Sequence, residues 1–147
     1  MNDTAPPSAD ILRMDVPALR AFLMAAFPLA EPGTRAVVNE AEPGRVRLAL
    51  QTRDEHLRPG GIVSGPTLMG LADVAAYVAV LAHIGPVAMT VTSALNIHFL
   101  RACHPGEVTA QGTLLRLGRK LATVEVRIWT DDENKPVAQA TVTYAIP

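Results

Sequence analysis

Apolar positions recur with two different periods along the 147-residue chain. In MDVPALRAFLMAAF, residues 14–27, Leu19, Phe22, Leu23, Ala26 and Phe27 follow helical spacing behind Asp15, an N-cap residue, and Pro17 in the first turn. An amphipathic helix is predicted there. From Arg35 to Thr52 the period drops to two, with Ala36-Val37-Val38 and then Val46, Leu48 and Leu50 on one face around the turn-forming EPGR, so this stretch predicts a hairpin. Residues 53–63, RDEHLRPGGIV, read as a polar, then glycine-rich connection. The next helix runs from about Pro66 to His83. Its Ala, Leu, Val, Met and Gly leave few polar groups on any side, which predicts a central helix covered nearly all round. Four strand-like segments follow, about 89–101, 107–117, 120–131 and 136–146, separated by CHPGE, LGRK and DDENK. Connectors this short predict antiparallel neighbours. In the third of these, Val124, Val126 and Ile128 face one way and Glu125, Arg127 and Trp129 the other. The order of elements predicts an α+β domain in which one curved antiparallel sheet covers a central helix.

Composition narrows this picture without changing it. A hydrophobic content of 49% in a chain of this length fits one domain over residues 1–147, with residues 1–12 a mobile lead-in. Thirteen basic residues against 14 acidic ones leave no broad basic surface, so nucleic acid is not expected as a partner. The single cysteine, Cys103, has no CxxC or Cys/His cluster around it, which fits a reducing, cytoplasmic setting and supports no structural metal site. The start MNDTAPPSAD lacks the pattern of an export signal. Between Arg58 and Arg101 the only formally charged residue is Asp73, yet Gly85-Pro86 and the alternating MTVTSALNIHF argue against a membrane span.

Asp73 is therefore the position that asks for chemistry. Aspartate is a poor interior helix former, and a carboxylate withdrawn from water needs compensation. It can lie on a solvated stripe, pair with Arg58 or Arg101, or act as a general base or nucleophile in apolar surroundings. No second carboxylate or i+4 histidine stands on its helix, so metal ligation has no support. A catalytic reading needs a partner, and the unsatisfied N–H groups near Gly65 at the helix start suit a developing oxyanion. Eight residues separate Gly65 from Asp73, about 12 Å along the axis, too far to share one carbonyl within a subunit. An antiparallel second copy would bring Gly65 of one chain beside Asp73 of the other, twice.

Over roughly residues 35–146 the segments RPGGIVSGP, TLMGLADVA and ALNIHFLRA resemble the PaaI-like (phenylacetic-acid-degradation) hotdog-fold thioesterases, which hydrolyse acyl-coenzyme A thioesters. The resemblance implies a hotdog fold and a homodimer or dimer of dimers. It also implies an acyl-CoA substrate and no cofactor. Asp73 takes the place of the base or nucleophile, and Gly65 that of the glycine whose N–H polarises the thioester carbonyl. Thr92 falls near the hydroxyl position that orients water. Three positions depart from the pattern: Ser64 stands for the loop histidine, Pro66 for the second glycine and Arg58 for an asparagine. Pro66 removes one N–H but spares that of Gly65. Ser64 suits a helix cap and also a water-orienting hydroxyl. Arg58 can hold Asp73 ionised, bind substrate phosphate or lie on the surface.

Met69 and Tyr77 stand one turn either side of Asp73 and are candidates to shape an acyl pocket. Period two puts Thr92, Asn96 and His98 on one face, opposite Val91, Leu95, Ile97 and Phe99. His56 and His98 read more simply as structural histidines. Arg101, Arg116, Arg119 and Lys120 lie at strand ends and in the LGRK turn, where they read first as a solvated charged rim and second as a reach for coenzyme A phosphates. The expected function is acyl-CoA thioester hydrolysis, with a non-hydrolytic acyl-CoA or acyl-carrier binding protein on the same fold as the alternative. A hydratase lacks its histidine-plus-acid pattern here.

Overall fold

The computed structural model of the chain describes residues 5–28 and 35–147. Helix α1, Val16–Ala26, starts where predicted: the Asp15 carboxylate accepts the Ala18 N–H at 3.0 Å. Leu19 and Leu23 are its buried stripe. Residues 1–4 of the expected lead-in lie outside the described residues, whereas Ala9 and Leu12 pack against the core.

Strands β1 (Val37–Glu42) and β2 (Arg45–Gln51) form the expected hairpin, turning at Gly44, whose φ of 83° favours glycine. The connection holds a short 3-10 turn, Asp54–His56, and a two-residue ladder of β3 (Leu57–Arg58) with β4 (Ile62–Val63). Helix α2 runs Gly65–Ile84, capped by the Ser64 hydroxyl on the Thr67 N–H at 3.3 Å. Strands β5 (Val91–Phe99), β6 (Glu107–Leu117), β7 (Leu121–Trp129) and β8 (Ala138–Ala145) complete one antiparallel six-stranded sheet of order β1-β2-β6-β7-β8-β5. The sheet wraps α2, and Val46, Leu48, Val108, Ala110, Val124, Val126, Ala140 and Val142 are all buried beneath it.

Three expectations change. First, β5 and β6 are consecutive but do not form a hairpin: β5 pairs with β8 and β6 with β2. The seven residues between them can span about 23 Å, enough to cross from one side of the sheet to the other. Second, α2 is enclosed only in part. Its residues from Ala75 to His83 are all buried, while Pro66, Met69, Gly70 and Val74 are exposed. The apolar composition of the first half therefore describes a face left open by this sheet. Third, the register of β5 shifts between Thr92 and Ala94. A bulge at Ser93 breaks period two, so Thr92 lies opposite Tyr144 rather than on the face of Asn96 and His98.

By length and composition α2 could cross a membrane, but it is the core helix of this fold and mostly buried within it.

Candidate active site

Asp73 sits in the open half of α2 and is half-buried. Its Oδ1 accepts two hydroxyl bonds, from Thr92 at 2.7 Å and from Tyr144 at 2.6 Å. No bond to Oδ2 occurs among the described residues, and neither Arg58 nor Arg101 pairs with the carboxylate. Both hydroxyls reach one oxygen because Thr92 of β5 and Tyr144 of β8 are register partners, and the β5 bulge turns Thr92 toward the helix. Tyr144 is buried, and its ring lies 5.8 Å from that of Tyr77, whose own hydroxyl donates to the Ala88 carbonyl at 3.0 Å. Burial first, and the Asp73 carboxylate second, push the Tyr144 phenol well above its ordinary pKa, so it remains an O–H donor.

The carboxylate opens on a cleft of about 800 Å³. Leu23 of α1 and Phe27 just past its end, Leu50 of β2, and Leu71, Val74 and Tyr77 of α2 give it mainly apolar walls. Volume and lining fall in the range of small-molecule sites. Arg35 stands at its edge, its guanidinium donating to the Leu23 carbonyl at 2.9 Å and to that of Phe27 at the end of α1. His56 lines it too, with Nδ1 accepting the Arg53 N–H at 2.8 Å. Thr90 lies in the same wall, buried, and its hydroxyl has no partner among the described residues.

Of the residues singled out from sequence, Asp73, Thr92 and Tyr77 come together on this cleft. Gly65 and Arg58 do not: they border a second hollow of about 250 Å³ at the start of α2, with Arg101, Phe99 and Cys103. Gly65 and Asp73 are thus apart within one subunit, as their spacing along the helix requires. Ser64 serves as the α2 cap, its Oγ also 2.8 Å from the Thr67 hydroxyl. Arg58 is exposed and donates to the Pro59 carbonyl. Met69 is exposed and outside the cleft wall. Cys103 is buried, which pushes its thiol pKa up to about 11. Sequence reasoning missed Tyr144. Its place two residues after Val142 on an alternating strand marks it as core, and only its hydroxyl hinted at a polar neighbour.

Comparison with known proteins bears on the family and the fold. The profile described as "Thioesterase superfamily" matches residues 60–137, more than half of the chain. A Saccharolobus solfataricus protein provisionally named an esterase is 30% identical over 99 residues, covering 67% of this chain and 69% of its own. A crystal structure from a Silicibacter species, provisionally named a thioesterase, is 36% identical with a TM-score of 0.85, over 95% of this chain and 96% of that one. The phenylacetic acid degradation protein PaaI from Thermus thermophilus, in a mutant form, is 26% identical with a TM-score of 0.69, over 86% and 99% of the two chains. A curved antiparallel sheet around one long helix, shared with these structures, is the hotdog fold, and the chain belongs to the thioesterase superfamily, resembling its PaaI-like members.

Proposed function

We propose that the protein is a homodimeric acyl-CoA thioesterase in which Asp73 activates water. The observation that carries this reading is a carboxylate held by two hydroxyls at the mouth of an apolar cleft of substrate size. Acyl groups suit the apolar walls, and a hydrolase suits the superfamily. In the reaction, Asp73 takes a proton from water as the water oxygen bonds to the thioester carbonyl carbon. The carbonyl oxygen becomes an oxyanion, stabilised by the partner subunit's Gly65 N–H. The C–S bond then breaks, and the thiolate leaves with the proton held by Asp73.

Dimerisation is supported by an asymmetry between the two sheet edges. Edge strand β1 exposes Val37 but otherwise the polar Asn39, Glu40 and Glu42, and Arg20 of α1 donates to its Val38 carbonyl at 2.8 Å. Edge strand β5 carries exposed Val91 and Phe99, beside exposed Leu100 and the exposed Met69 and Val74 of α2. Unpaired edges of this kind recruit another chain. Arg58 and Arg101 flank Gly65 at the second hollow, where two guanidiniums suit the phosphates of coenzyme A. A lone buried thiol is compatible with a cytoplasmic setting.

Thiol release from aryl, short-chain and long-chain acyl-CoA substrates tests this. Asp73→Asn is expected to lose at least about 100-fold in kcat, the scale of a general base. A monodisperse monomer in solution would rule out the shared site. The second reading, a binding protein without hydrolysis, draws on Ser64 engaged as a cap and on Pro66, which lacks an N–H. Saturable acyl-CoA binding with no thiol release by the wild type would select it.

A further inference from the structure

We propose that Tyr144 is a positioning residue for thioester hydrolysis: with Thr92 it occupies Oδ1 of Asp73 and reserves Oδ2 as the oxygen that takes the proton from water. This rests on the thioesterase reading and adds to it which oxygen reacts and what holds it. A carboxylate oxygen offers two lone-pair sites. The two hydroxyls at 2.6 and 2.7 Å fill both on Oδ1. Beside the neighbouring Thr92 hydroxyl, the single Tyr144 proton has Oδ1 at 2.6 Å and the Asp73 backbone carbonyl at 3.0 Å within reach. The shorter contact to the charged oxygen takes it.

Oδ2 is bonded to nothing among the described residues, on a side chain that lines the cleft. The terminal torsion of aspartate is broad, and an unheld carboxylate exchanges its two oxygens. Here that rotation would break both hydroxyl bonds. The anchor itself is rigid: Tyr144 is buried in β8, its ring is tilted against Tyr77, and Tyr77 is tied to Ala88. Thr92 is thereby a donor to the carboxylate, and the water-orienting role passes to Oδ2.

Tyr144→Phe keeps the ring and removes only the hydroxyl. Steady-state thiol release should show kcat lower by about tenfold with KM within about a factor of two, the mark of a misplaced reacting group rather than lost binding. Thr92→Val should behave alike, and Thr92→Ser should recover most of the lost rate. The double variant Tyr144→Phe/Thr92→Val should lose more than the product of the single losses, because one remaining hydroxyl still holds Oδ1 in part and the double variant leaves none. Wild-type kcat in Tyr144→Phe, or a loss carried by KM alone, would overturn the positioning role while leaving the hydrolase intact. If Tyr144→Phe does not melt cooperatively, Thr92→Val against Thr92→Ser reads the same oxygen: equal rates in the two overturn the role, and recovery in Ser supports it. No turnover by the wild type would instead overturn the hydrolytic reading, and the positioning role with it.

Discussion

A carboxylate amid small apolar residues is conspicuous in any sequence, and Asp73 was legible for that reason alone. Its partners were less so. Thr92 was placed by resemblance, while period two put it on the wrong face, because a one-residue bulge inverts the alternation on one side of Ser93. Tyr144 was illegible because a buried tyrosine on a core-facing position looks the same whether its hydroxyl is structural or holds a functional group. Thr90 belongs to the same scale. Its hydroxyl is buried without a partner among the described residues, and such a group costs stability that an apolar isostere does not. Thr90→Val is therefore expected to stabilise the chain by about 1 kcal/mol, a rise in Tm of about 2–4 °C by calorimetry.

The two helices and the six strands of the main sheet were legible to within a few residues, since caps, turns and periodicity are local, whereas the 3-10 turn and the β3–β4 ladder lie in what the sequence offered only as a connection. Pairing was not local. The CHPGE connection reads like a hairpin turn, yet β5 reaches the far edge of the sheet beside β8. That placement brings Thr92 opposite Tyr144 and leaves β5 as an edge. Gly112 shows the same limit within one strand: in sequence it is a small residue at a core-facing position, and in space it is where β6 meets α2. A Cβ there would stand 3.0 Å from the Ala75 carbonyl oxygen and 3.4 Å from the Ala79 Cβ. Helix backbone cannot yield as a side chain does, so Gly112→Ala should push α2 off the sheet at a cost of about 1–3 kcal/mol. A lower urea midpoint at unchanged m value is the expected readout.

Across the whole molecule, His83 ties the end of α2 to the β1–β2 turn. It is fully buried, with Nδ1 2.7 Å from the Ala79 carbonyl and Nε2 accepting the Gly44 N–H at 2.8 Å. Both contacts fit the neutral ring with its proton on Nδ1, and burial lowers its pKa from the usual 6.5. Above that value the ring is neutral in folded and unfolded chains alike, and its contribution is complete. As pH falls below it, the unfolded chain binds a proton that the folded chain refuses, so stability declines until pH passes the lowered folded value. Unfolding midpoints at pH 7.5 and 5 should differ in the wild type, and by less in His83→Gln, which does not titrate. By itself the sequence determined the main elements, the α+β class and a helix carboxylate that needs partners, because these follow from local periodicity, turn chemistry and the cost of burying charge. Only the tertiary structure decided which strands pair, which half of α2 stays open and which hydroxyls hold Asp73, because each depends on contacts between residues far apart in the chain.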